Sequence, residues 1–180
     1  TFDGNRDLIK SYVDPGTMLD GQFDFPLRGQ VLSTLLHRDG SMQDLVGFLA
    51  SNDGYYGSGA VMSTFLGNHD VPRAIEHALD QPMFDPWDGG KQNAWTGQPS
   101  LPMSSNPFQR LQVAYTLLFT SPGIPMIYYG DEIGMPGAGD PDNRRFMQWD
   151  AYSQNQTWLH DQLAALAKIR AAHPSTRRGT

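Results

Sequence analysis

Ile124-Pro125-Met126-Ile127-Tyr128-Tyr129 is apolar from end to end and sits between Ser121-Pro122-Gly123 and Gly130-Asp131-Glu132. A run of this kind, without polar alternation and bounded by turn residues, predicts a strand buried on both faces, the environment of a parallel sheet covered by helices. A second run, Val61-Met62-Ser63-Thr64-Phe65-Leu66, repeats the arrangement and ends in Gly67-Asn68-His69-Asp70. Both runs deliver carboxylates directly at their C-terminal ends. Where a strand gives way to a loop, adjacent side chains can turn into one pocket, so His69 and Asp70 are candidates to bind vicinal hydroxyls or to move protons.

The rest of the chain alternates around these runs. Arg6 to Val13 reads as a short helical or irregular segment before the Asp14-Pro15-Gly16 turn, and Met18 to Phe25 as a strand stopped by Pro26. Val31, Leu32, Leu35 and Leu36 recur at helical spacing. Ser41 is an N-cap candidate with Asp44 three residues on, opening a helix that turns Leu45, Phe48 and Leu49 to a core, and Asp53 to Gly59 is a Gly/Tyr-rich link. Pro72 to Leu79 predicts a short helix. Asn106 as N-cap with Pro107 at N1 opens another, whose apolar face is Phe108, Leu111, Ala114, Tyr115 and Leu118. Leu159, Leu163, Leu166 and Ile169 mark a last helix that ends before Pro174. Strand, helix, strand, helix, strand, helix implies an α/β fold with a parallel sheet, and such sheets place active sites at the strands' C-terminal ends.

Two loops stand out. Gln81 to Asn106 holds four Pro, three Gly and two Trp with little periodicity, so it predicts one long surface loop. Trp87 and Trp95 either stack on sugar rings or pin this loop to its own domain. The loop from Gly134 to Trp149 carries Gly139-Asp140-Pro141-Asp142-Asn143-Arg144-Arg145.

Net charge is −6 with no stripe of Lys or Arg, which argues against nucleic acid or an anionic membrane surface and suits a neutral or polyhydroxyl ligand. The absence of cysteine excludes disulfides and thiolate metal sites. His37, His77, His160 and His173 show no metal-ligand spacing, so no metal site is expected.

Thr64 to Asp70 resembles the fourth conserved region of the α-amylase family, glycoside hydrolase family 13, and Gly123 to Glu132 is similar to that family's eighth barrel strand. Phe23-Asp24-Phe25-Pro26-Leu27 resembles the sixth-strand region, and Met147-Gln148-Trp149-Asp150 with Leu166 to His173 the stretch that closes the barrel. Spaced motifs that keep one order along the chain make a specific combination. The resemblance implies that residues 1–180 are the C-terminal portion of a catalytic (β/α)8 barrel, roughly strands six to eight with their helices, where the whole fold needs about 250 residues. Thr1-Phe2-Asp3-Gly4 resembles the residues just after the family's general acid, so that acid and the nucleophile are both expected upstream.

The resemblance implies a glycoside hydrolase fragment with an incomplete active site, inactive alone. Its parent would hydrolyse α-glucosidic bonds of starch, maltodextrin or related oligosaccharides with retention. The alternatives are a transglycosylase or oligo-1,6-glucosidase parent, or a fragment that only binds carbohydrate. Asp70 would be the transition-state-stabilising carboxylate and His69 its neighbour on the same sugar hydroxyls. A matching Asp-Pro-Asp-Asn-Arg loop in some relatives sets Asp140 and Arg144 against sugars one or two units from the cut, towards the non-reducing end; the other reading of these two is an Asx-turn with a surface ion pair. Arg73, Asp131 and Glu132 are expected to be structural charges. The expected partner is an α-glucan or maltooligosaccharide, with neither nucleic acid nor membrane. No cofactor is expected in this chain; the calcium site of many relatives belongs to an earlier part of the barrel. Polymeric starch would be met outside the cell and short oligosaccharides inside it, so localisation stays open.

Overall fold

The structure, a computed structural model, describes residues 5–178; the Thr1-Phe2-Asp3-Gly4 motif lies outside them. Helix α1 (Arg6–Lys10) is followed by α2 (Phe25–Val31), which runs on into a π-helical stretch, Leu32–His37, and then by α3 (Met42–Tyr56). Strand β1 (Ser63–Phe65), α4 (Ala74–His77), α5 (Asn106–Thr120), β2 (Ile124–Met126) and α6 (Gln154–Ala172) come next.

The strands are parallel, as the alternation predicts. β1 pairs with β2 in the register Ser63 to Ile124, Thr64 to Pro125 and Phe65 to Met126. On the other side of β1, Phe23 forms a parallel bridge with Ser63, and the amides of Asp24 and Ser63 bond the carbonyls of Ser63 and Gln22, each at 2.9 Å. The order Phe23, β1, β2 therefore matches the order of the three predicted strands.

The first of them is much shorter than Met18 to Phe25. Asp24 leaves the sheet to cap α2, accepting from the Leu27 amide at 3.0 Å, and Pro26 lies in the first turn of that helix. A proline lacks an amide that the first turn leaves unpaired anyway, so the residue expected to stop a strand starts a helix instead. The link from Asp53 to Gly59 is also corrected. α3 runs on through Tyr56 because that ring is buried with Ile9, Val13 and Met62 in a second small core, and Gly57, at φ +99, ends the helix. The cap of α5 is Ser105, one residue before the predicted Asn106. Ser41 caps α3 as expected, its hydroxyl accepting from the amides of Gln43 and Asp44.

The run from Ile124 to Tyr129 is not buried on both faces. β2 is three residues long, pairs only with β1 among the described residues, and leaves Ile124 57% exposed. The backbone then turns at Gly130, φ +87, into Asp131–Ile133. At the far end, Ile169 faces solvent rather than the core.

Helical periodicity is otherwise realised in one main core. Leu27, Val31, Leu32 and Leu36 meet Leu45, Leu66, Ile75, Phe108, Leu111, Tyr115 and Leu118, and Leu159 and Leu163 of α6 close it. Residues 81–105 cross the surface with a single helical turn, Lys91–Asn93. Trp87 pins this loop, since its ring lies where a Cβ on Gly29 of α2 would be, 2.3 Å away, while Trp95 stands 78% exposed. Gly139 ties the same loop to the segment after β2. Its amide bonds the Gly90 carbonyl at 3.0 Å, and a Cβ there would fall 1.7 Å from the Gly89 oxygen, so only glycine fits.

Candidate active site

β1 ends in Leu66, buried in the main core, and Gly67, where a Cβ would meet Asp131 Oδ2 at 2.4 Å. The loops that leave the two strands are thus in contact at their root. Asn68, itself buried, accepts the Asp70 amide at 2.8 Å on Oδ1 and so fixes the turn that presents His69 and Asp70.

The segment after β2 returns onto that turn. Asn143, fully buried, donates from Nδ2 to the Val71 carbonyl at 2.8 Å and reaches the Asn68 carbonyl at 3.5 Å. Arg144 Nε donates to the His69 carbonyl at 3.2 Å and lies 3.0 Å from Asp140 Oδ1. Arg144 Nη2 is 3.9 Å from Asp70 Oδ1, and His69 Nε2 is 3.4 Å from Asp70 Oδ2. All four predicted site residues, His69, Asp70, Asp140 and Arg144, therefore form one cluster at the C-terminal end of the strands. They stand on an open surface rather than in the pocket the sequence suggested: the Asp70 side chain is 66% exposed and that of Arg144 45%. A cavity of about 800 Å³ does open in the protein, but at the other end of the strands, beside Val61, Met62, Ile124 and the last turn of α3.

Chemically, the cluster offers two carboxylates as acceptors and a guanidinium and an imidazole as donors, on a backbone held by buried side chains. Exposed ion pairs of this kind contribute only about 0–1 kcal/mol to stability, so folding does not explain their convergence. Donors and acceptors that alternate over a few ångströms can bind the hydroxyls of a sugar.

Arg73 and Asp131 are structural, as expected. They form a wholly buried ion pair at 3.4 Å, and Arg73 also donates to the Tyr129 carbonyl. Its guanidinium lies 4.4 Å from the Tyr128 ring centre and 4.6 Å from that of Tyr129. Burial pushes the Asp131 carboxyl up to about 6, with Arg73 pulling the other way.

Sequence reasoning passed over three groups. Asn143, the tie between the loops, was visible only as the residue between Asp142 and Arg144. Glu76 is buried in α4, accepts the Gly137 amide at 3.2 Å, and has its carboxyl raised to about 7 by burial. His37 and His77 pair at 3.0 Å through Nε2 and Nδ1, and burial holds both below the usual imidazole value, His77 the more strongly. Their sequence separation of forty residues hid the contact. Among the described residues no group of three or more His, Cys, Asp or Glu could hold a metal ion, and no helix is long and apolar enough to cross a membrane.

No family model matches the chain. Individual relatives do. A β/α-amylase of Paenibacillus polymyxa is 30% identical over 179 residues, which is 99% of this chain and 13% of that protein. A cyclomaltodextrinase of Thermoanaerobacter pseudethanolicus is 46% identical over 80 residues, 44% of this chain and 14% of its own length. Among solved structures, the α-amylase from Geobacillus thermoleovorans complexed with acarbose superposes with a TM-score of 0.70 at 33% identity, over 99% of this chain and 33% of that one. The Anoxybacillus α-amylase gives a TM-score of 0.73 at 30% identity with the same coverage. The chain spans about an eighth of the first relative and a third of the two solved chains. Together with the α/β arrangement, these comparisons show that the chain's relatives and structural neighbours are enzymes of the α-amylase family, glycoside hydrolase family 13, and that it spans a part of their length.

Proposed function

We propose that this chain is the C-terminal portion of a (β/α)8 catalytic barrel, roughly strands six to eight, and that its parent hydrolyses α-glucosidic bonds in starch, maltodextrin or related oligosaccharides. The observation that carries the reading is the return of Asp140 and Arg144 from the β2 loop onto the His69-Asp70 turn of the β1 loop. Relatives named as amylases and cyclomaltodextrinases support it, as do similar structures complexed with acarbose and maltotriose. A cyclomaltodextrin glucanotransferase of Paenibacillus macerans, 30% identical over 174 residues, keeps glycosyl transfer as the second reading.

In a retaining glycosidase one carboxylate attacks the anomeric carbon and another, about 5–5.5 Å away, protonates the leaving oxygen. Neither role is assigned to a residue of this chain. Asp70 is the third carboxylate: it accepts from the 2- and 3-hydroxyls of the sugar at the cut, and these charge-assisted bonds strengthen as the ring flattens toward the oxocarbenium ion. His69 donates to the same hydroxyls. Arg144, steadied by Asp140, holds the adjoining sugar.

Titration calorimetry of the chain with maltotriose tests this. Binding is expected, with Asp70→Asn and Arg144→Ala each weakening it at least about tenfold, the loss of one charge-assisted bond. The chain alone is expected not to turn over a chromogenic maltoside. Equal affinity in all three proteins, or turnover abolished by Asp70→Asn, would refute the assignment.

A further inference from the structure

Phe146 is 99% exposed, directly after the two arginines of the β2 loop. Exposure alone does not set it apart, since Trp95, Met103 and Trp149 also face solvent. Its footing does. Arg145 makes a two-point contact with Asp142, Nε to Oδ1 at 2.8 Å and Nη2 to Oδ2 at 2.7 Å, and donates to the Pro99 carbonyl at 2.9 Å. Asp142 is buried and accepts the Ala138 amide as well, at 2.8 Å. The Tyr129 hydroxyl donates to the Arg145 carbonyl at 2.9 Å. The peptide that carries Phe146 is thus fixed both from the chain after β2 and from the 81–105 loop, while its ring has no cover of its own.

We propose that Phe146 is a stacking platform for a glucose unit beyond the two held by Asp70 with His69 and by Arg144 with Asp140. The inference rests on the α-glucan reading and extends the same site by one sugar. A pyranose ring has an apolar C–H face and a rim of hydroxyls. The polar cluster serves the rim, and a flat aromatic serves the face. Two residues of chain reach at most about 7 Å, so a ring at position 146 stands within a sugar or two of Arg144. Because residue 145 is pinned, little conformational freedom is lost when a ligand settles on the ring.

Calorimetry of the chain with maltose and maltohexaose separates the possibilities. Phe146→Ala is expected to weaken maltohexaose about three- to tenfold, the range of an aromatic contact, and to leave maltose unchanged. Phe146→Tyr should keep the parent affinity and Phe146→Leu should behave like alanine, because the contact needs a flat ring. Trp149→Ala, the exposed control, should bind as the parent does. An unaltered maltohexaose affinity in Phe146→Ala, an equal loss in Trp149→Ala, or a change in sedimentation without a change in sugar affinity would overturn the proposal. The last result would make this face a contact between protein copies. If the parent chain binds neither sugar, the α-glucan reading falls and this inference with it. If Asp70→Asn loses binding and Phe146→Ala does not, only the platform falls.

Discussion

Arg73→Ala is expected to destabilise the chain by about 3–5 kcal/mol, the loss incurred when one member of a buried ion pair is removed. Asp131 is then left without a counter-charge in a site closed to water, and the carbonyl of Tyr129 loses its donor. The two tyrosine rings that flank the guanidinium lose their cation as well. Urea unfolding of the single variants and of Arg73→Ala/Asp131→Asn should give a double variant more stable than the sum of its parts, because asparagine removes the orphaned charge. The loss should also depend on pH. Without Arg73 the Asp131 carboxyl rises above its present value of about 6, so at pH 5 it stays protonated and the variant is less damaged than at pH 8. A loss that is equal at both pH values and not relieved by Asp131→Asn would mean that Arg73 acts through packing alone. The pair also bears on the site. It clamps the root of the β1 loop, three residues after Asp70, to the root of the β2 loop, so sugar binding should fall with stability.

Local patterns made the helices legible. The 3.6-residue spacing of Phe108, Leu111, Tyr115 and Leu118, and the Ser41 cap, are decided by neighbours in sequence, and the structure keeps them. The strands were harder. Their residues were recognisable, but their lengths depend on what pairs with them: Asp24 makes a capping bond where extended pairing was expected, and Ile124 meets one neighbour instead of two. Proline at position 26 is ambiguous by itself, since it ends a strand as readily as it begins a helix. The site residues were legible because two short polar motifs each come directly after a strand. That they touch was not, because the contact runs through Asn143 and Arg144 to carbonyls more than seventy residues away. Buried ionisable groups were the least legible of all. Glu76 and His77 occupy helix positions that could equally face solvent, and only tertiary packing puts them inside, Glu76 against Gly137 of the 134–145 segment and His77 against His37 and Arg28.

Glu76 is therefore where stability should respond most clearly to pH. Its carboxyl is raised from 4.5 to about 7, first by burial, then with Asp142 adding to the rise and the Gly137 amide and Arg145 opposing it. The folded chain holds that proton up to about pH 7, while the unfolded chain releases it near 4.5. This group's contribution is complete below 4.5 and is lost as pH rises through 7. At about 1.4 kcal/mol per pH unit, the difference amounts to roughly 3 kcal/mol by pH 9. Glu76→Gln keeps an acceptor for the Gly137 amide and cannot ionise. It should match the parent at pH 4 and exceed it by up to about 3 kcal/mol at pH 9 in urea unfolding. His37 and His77 act in the opposite sense, since their lowered values give stability above 6.5 that is lost as pH falls. The parent's own profile is thus a sum of opposing slopes, and only the difference between parent and Glu76→Gln isolates the carboxyl. If glutamine instead weakens the fold by the same amount at every pH, Glu76 is ionised in the native chain and is held by the positive charge of Arg145, which would reverse the role assigned to it.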